Sequence, residues 1–131
     1  MTEPKRITDR LVVCRVGIHG RIDDCSGGCR APNPAEVQLA RAWIARFGTR
    51  LKHANQWSSY GFKHWVEEWT GTYCGNGAFI LAAHKAGYVV VSSGLRQDPN
   101  ASFNMGIAKW NRLPAHERRG DFAAMGTVPS R

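Results

Sequence analysis

The longest unbroken apolar run in this chain is Ala78–Ala83, far short of the roughly 20 residues a membrane-crossing helix needs. The N-terminus, MTEPKRITDR, carries no apolar stretch of the kind a secretory signal requires. The expectation is a cytosolic protein whose four cysteines stay reduced. Acidic residues are scarce: ten Asp and Glu face 18 Lys and Arg, for a net charge of +8. Charge of either sign is nearly missing from residues 71–107, which hold Lys85, Arg96 and Asp98 alone. There is no internal repeat, and no motif that fixes a reaction.

What is present is core material. The chain has 131 residues, 43% of them hydrophobic, with five Trp, five Phe and three Tyr. That is enough for one domain with a packed interior, and burial of the aromatics should dominate its energetics. The basic residues sit on the flanks: Lys5 to Arg30 in an N-terminal arm, Arg41, Arg46, Arg50 and Lys52 near the first helix, and Lys109 to Arg131 in the tail. Such a balance points first to nucleic acid as a partner, with solubility or attraction to an acidic protein as the plainer alternatives.

The elements follow from caps and periods. Residues 1–10 read as a flexible arm, and Leu11–Val13 with Val16 and Ile18 as a short strand ended by glycine. Asn33 before Pro34 is a helix start, and Val37, Ala40, Ile44 and Phe47 repeat at helical spacing up to Gly48. Ser58 or Ser59 opens a second helix. Its stripe is Phe62, Trp65, Val66 and Trp69, its opposite side carries Lys63–Glu67 and His64–Glu68 pairs, and Gly71 stops it. Asn76 caps a third, apolar helix that Gly87 closes. Tyr88–Val91 and Ala101–Ile107 make a hairpin. The expected fold is α+β, one small domain of three helices with a C-terminal β-hairpin in winged-helix-like order. The divisions are 1–32 (arm and Cys/His segment, flexible or zinc-pinned), 33–107 (core) and 108–131 (basic tail, with one helical turn near Pro114–Arg118).

Three groupings bear on chemistry. Cys14, His19, Cys25 and Cys29 supply three thiols and an imidazole, a set able to hold a tetrahedral structural zinc with no open position. Three residues, not two, separate Cys25 from Cys29 and Cys14 stands alone, so unligated thiols are the rival reading. Cys74 lies just before the third helix, where a thiol can become nucleophilic, with His64 or His84 as a base. No pattern pairs them, and a packed core thiol is the plainer assignment. Read as a winged helix, the third helix would enter a major groove, but Phe79–Ala83 has no polar side chain for base edges. Arg41, Arg46, Arg50 and Lys52 can still track phosphates without reading sequence. Trp65 and Trp69 belong to the core by spacing, while Trp57 is the candidate for exposed base stacking.

Ser59-Tyr60-Gly61-x-Lys63-His64, then Tyr73-x-x-Asn76-Gly77-x-Phe79-Ile80-x-Ala82-Ala83, then Gly87, then Asn100-Ala101-x-Phe103-Asn104 resembles a set of small proteins of phages, prophages and plasmids. The likeness covers about fifty residues and leaves out the Cys/His segment and the tail. It implies a mobile-element accessory protein, a class that often blocks host machinery, including nucleic-acid-targeting defence systems. The polar members of the pattern are explained as caps and turns. The leading expectation is a non-enzymatic phage or mobile-element protein of the host cytoplasm that inhibits a host defence protein or ribonucleoprotein complex, in the manner of an anti-CRISPR. Its contact residues would be Arg41, Arg46, Arg50, Lys52, Trp57 and Arg96. Second comes a zinc-stabilised DNA- or RNA-binding regulator, and third a hydrolase using Cys74.

Overall fold

The computed structural model describes residues 32–92 and 100–125 together with the strand residues 5–6, 16–17 and 20–21. In chain order the elements are β1 (Lys5–Arg6), β2 (Val16–Gly17), β3 (Gly20–Arg21), α1 (Pro34–Phe47), β4 (Thr49–Arg50), α2 (Ser59–Thr70), α3 (Asn76–Lys85), β5 (Val90–Ser92), β6 (Ala101–Phe103), β7 (Met105–Gly106), α4 (Ala108–Arg112) and α5 (Ala115–Ala124). The class is α+β: helices around a shared core, edged by small antiparallel sheets.

The helix ends obey local chemistry. Asn33 caps α1 by accepting from the Ala35 amide at 2.8 Å, with Pro34 at the first helical position. Gly48 does end α1, but at φ −74°, ψ 140° it does not use left-handed freedom. The site lacks room instead: a Cβ there would lie 2.9 Å from the Ile44 carbonyl and 3.0 Å from the Tyr88 hydroxyl. Gly71, at φ +76°, is the left-handed stop after α2. The third helix closes with Gly87 at φ +91°, where the Tyr88 amide reaches the Ala83 carbonyl and the Gly87 amide reaches that of His84, a Schellman closure.

The interior is an aromatic cluster centred on Trp43. Its ring meets Phe47 and Trp110 at 5.5 Å, Phe62 at 5.8 Å and Phe79 at 6.0 Å. Phe62 and Phe79 stack at 4.9 Å, with Phe103 edge-on to both. Offset and edge-on pairs of this kind add about 0.5–1.5 kcal/mol each beyond the area they bury. Helix α3 is buried over most of its length, as its apolar run requires.

Strands β5 and β6 pair antiparallel, Val90 opposite Phe103, giving the expected hairpin in shortened form. The rest of 101–107 does something the sequence did not suggest: β7 leaves that sheet and pairs with β4, Thr49 opposite Gly106. β1 joins the other edge of β5, so Lys5 and Arg6 lie in a sheet and not in a free arm. β2 and β3 form a tight pair that lies against α3.

The winged-helix order is not matched: the described residues alone hold five helices where three are expected. Residues 108–125, expected as a tail with one helical turn, form α4 and α5. The signal was weak because α5 has no buried residue and so no apolar stripe. It is held by polar contacts. Asp121 accepts from Arg46 at 2.8 Å and from the Trp69 indole at 2.9 Å. Arg118 bonds Glu68 at 2.9 Å and lies 3.9 Å over the Trp110 ring. Phe122 adds one ring contact with Trp69 at 4.7 Å.

Candidate functional site

Two polar regions stand out: a network between α2 and α3, and the loop 51–57.

In the first, Glu67 gathers its neighbours. One carboxylate oxygen accepts from Lys63 Nζ at 2.9 Å and from the Cys74 amide at 3.1 Å, and the other lies 3.1 Å from His64 Nδ1. The Lys63–Glu67 pair is as expected. His64 turns to Glu67 instead of Glu68, because Glu68 is taken by Arg118. Glu36 accepts from the Gly75 amide at 2.9 Å. Two carboxylates from other helices therefore serve the amides that lead into α3, where the helix dipole favours negative charge. Asn76, expected as the cap, is the first helical residue, and its amide donates to Asn100 at 2.9 Å. Lys63 is buried, with its ammonium between Tyr60 (5.4 Å) and Tyr73 (4.8 Å). Burial pushes the Glu67 carboxyl up, but the bonds from Lys63 and Cys74 prevail and hold it below the ordinary value.

Cys74 belongs to this network through its backbone alone. Its side chain is fully buried, and burial, reinforced by Glu36 and Glu67, pushes the thiol up to about 12. At neutral pH it is a protonated packing group. A nucleophile needs the thiolate, so this burial counts against Cys74 in that role. Helix α3 is equally unsuited to reading a groove, since Phe79, Ile80, Ala82 and Ala83 are all core.

The second region is the segment between β4 and α2. It is pinned on its inner side. Leu51 donates its amide to the Asn104 carbonyl at 2.8 Å, and Asn55 donates its amide to that of Phe103 at 2.7 Å. Asn104, buried, uses its side chain twice: its carbonyl accepts from the Val89 amide at 2.8 Å and its amide donates to the Leu51 carbonyl at 3.0 Å. Its place in the sequence pattern predicts a turn residue. It is instead the tie between three segments. Beyond the loop, Ser59 Oγ accepts from the Ala101 amide at 3.0 Å, fixing the start of α2 to β6. The outer side is open: Leu51, Lys52, His53, Ala54, Gln56 and Trp57 are all exposed.

The expected contact residues are therefore not equivalent. Lys52 and Trp57 project from this pinned loop, and Trp57 is 40% exposed with its ring edge-on to Trp65 at 5.6 Å. Arg41 is exposed on α1. Arg46 is engaged by Asp121, which raises its basicity further. Arg50 donates to the Gly87 carbonyl at 2.8 Å and lies 4.7 Å over the Tyr88 ring. Arg41 and Arg46 are five residues apart on one helix, so they diverge around its axis. Arg96, and the quartet Cys14, His19, Cys25 and Cys29, lie outside the described residues. Among the described residues, no three His, Cys, Asp or Glu side chains group to hold a metal, and no helix is long and apolar enough to cross a membrane.

Sequence reasoning missed Tyr60 and Tyr73, which are 53% and 58% exposed. The available signal for Tyr60 was the absence of any acidic residue between Glu36 and Glu67, across Arg41, Arg46, Arg50, Lys52 and Lys63. No protein-family model, curated protein or solved structure matches this chain.

Proposed function

We propose that this chain is a non-enzymatic binding protein of mobile-element type, acting in the host cytoplasm, that engages and blocks a host nucleic-acid-targeting defence complex in anti-CRISPR fashion. The observation that carries the binding half of this reading is the loop 51–57, pinned from inside by Asn104 and Asn55 while its outer side chains face solvent. A recognition surface held rigid before contact loses less entropy on association. Its exposed cation and indole are the residue types that anchor contacts with nucleoprotein. The target class is supported by the likeness of the Ser59–Asn104 pattern to phage and plasmid proteins, which is association by class.

Affinity capture of the tagged chain from a bacterial host, with and without nuclease, tests it. A stoichiometric protein partner that survives nuclease is expected. Recovery of nucleic acid alone, lost on nuclease treatment, would replace this reading with that of a nucleic-acid-binding regulator. The net charge of +8 favours that second reading. Under it, Cys14, His19, Cys25 and Cys29 hold a structural zinc, so purified protein carries metal near one equivalent and loses it in Cys25→Ser.

A further inference from the structure

We propose that the loop Leu51–Trp57, extended by Tyr60, is a binding site for unpaired nucleic acid, with Trp57 as the stacking platform and Lys52 as a phosphate contact. This deepens the preceding reading by naming what the loop touches, and takes only its biological setting from it.

Three independent observations converge here. The first is charge. Between Glu36 and Glu67 the chain has no carboxylate and five cationic side chains. Two of these, Arg46 and Arg50, are spent on internal contacts, and Lys63 is buried against Glu67. Lys52 has no ion-pair partner among the described residues and is exposed on the loop beside His53. A polyanion approaching this loop therefore meets no local carboxylate on it.

The second is aromatic presentation. Trp57 and Tyr60, three positions apart, are both exposed, while Trp43, Trp69 and Trp110 are fully buried. Each exposed ring is braced from the protein side: Trp57 by the edge of Trp65 at 5.6 Å, and Tyr60 by His64 at 4.5 Å. A braced ring with open surface suits stacking, because every base offers a π-face and little side-chain freedom is left to lose. A duplex cannot use such a platform without unstacking, so the preference is for single strands.

The third is rigidity. The loop is tied to the β6–β7 segment: Leu51 exchanges bonds with Asn104, and Asn55 donates to the carbonyls of Phe103 and Met105. Asn55 reinforces this by accepting from the Gln56 amide at 2.6 Å. The backbone from which Lys52 and Trp57 project is thus tied at Leu51 and Asn55.

The test uses the full chain and a fluorescein-labelled oligo-dT of about 15 nucleotides, the upper range of one small fold's footprint. Binding is read by anisotropy across a salt series, with a duplex and heparin as competitors. The single strand is expected to bind more tightly than the duplex and to resist heparin in part. Trp57→Ala should weaken it about tenfold, in line with the stacking contribution of one base, while Trp57→Phe should retain most of the affinity. Lys52→Glu should flatten the salt dependence. Lys52→Glu should leave the melting temperature unchanged, and Trp57→Ala, which gives up the edge contact with Trp65, should lower it slightly while unfolding stays cooperative. Equal affinity for single strand and duplex, or a Trp57→Ala protein that binds as wild type, would overturn the site. Capture of a nuclease-resistant protein partner with no oligonucleotide binding would overturn this inference and leave the preceding one standing. Oligonucleotide binding through Trp57 with no protein partner would do the reverse.

Discussion

The aromatic interior and the C-terminal helix are held by opposite means. Around Trp43, the contacts of Phe47, Phe62, Phe79 and Trp110 involve ring faces and edges in full burial. Helix α5 buries no residue, and it docks through Asp121, Arg118 and Arg119 with Phe122 as its ring contact. The first region depends on volume and tolerates few shape changes. The second depends on directional bonds, so it should answer to charge, pH and salt. Region one is what a sequence announces through hydrophobic spacing, and region two is what it hides.

The contrast can be broken from the core side first. Phe79→Ala removes a ring that stacks on Phe62 and touches Trp43 and Phe103. It should lower stability by about 3–5 kcal/mol, the usual range for a buried Phe, with little dependence on salt in denaturant titrations. Asn104→Ala comes next. It strands the part-buried Val89 amide and Leu51 carbonyl, which should cost about 2–3 kcal/mol, at about 1–1.5 per hydrogen bond lost. Amide exchange at Leu51 and Asn55 should accelerate with it.

Smaller and of a different kind is Asp121→Ala, which leaves Arg46 and the Trp69 indole without their shared acceptor. A loss of about 1–3 kcal/mol is expected, accompanied by loosening of α5 and not of the core. The Arg46 bond, and then that of Trp69, hold the Asp121 carboxyl below its ordinary value, as Lys63 and Cys74 hold that of Glu67. A carboxyl with a depressed folded value stabilises fully above its unfolded value, near 4, and loses that contribution as pH falls through the folded one. Melting temperature should therefore drop on acidification below about pH 4, and less steeply in Asp121→Asn. The smallest effect belongs to Arg41→Glu. Arg41 is exposed and has no ion-pair partner among the described residues, so the change should stay within about 0.5 kcal/mol. If it matched Asp121→Ala, the division between structural and outward cations would fail.

Legibility in the sequence follows the same division. Asn33, Pro34, Gly48, Gly71 and Gly87 mark helix ends because each carries its own local reason, and the Phe62–Trp69 stripe is a burial pattern at helical period. What stayed out of sight is non-local. Nothing near Met105 announces that it will pair with Arg50, and nothing near Asp121 announces Arg46 or Trp69. The candidate site was half visible. Lys52 and Trp57 were named from their polar setting, but the bonds that make their loop rigid come from Asn104, some fifty residues on. Tyr60 was overlooked because an aromatic on a helix reads as core until its burial is known, and Tyr73, in the turn between α2 and α3, sits in no periodic pattern that would place it.

Trp57 at the surface meets Trp65 at 5.6 Å, and Trp65 stacks on Trp43 at 6.3 Å, which in turn meets Trp110 at 5.5 Å. Four of the five indoles thus form a continuous relay from solvent to the centre of the fold. Excitation migrates along such a chain, so a quencher seated on Trp57 darkens emission that originates in the interior. Intrinsic fluorescence of the unlabelled protein is therefore an amplified reporter of whatever occupies its outermost ring.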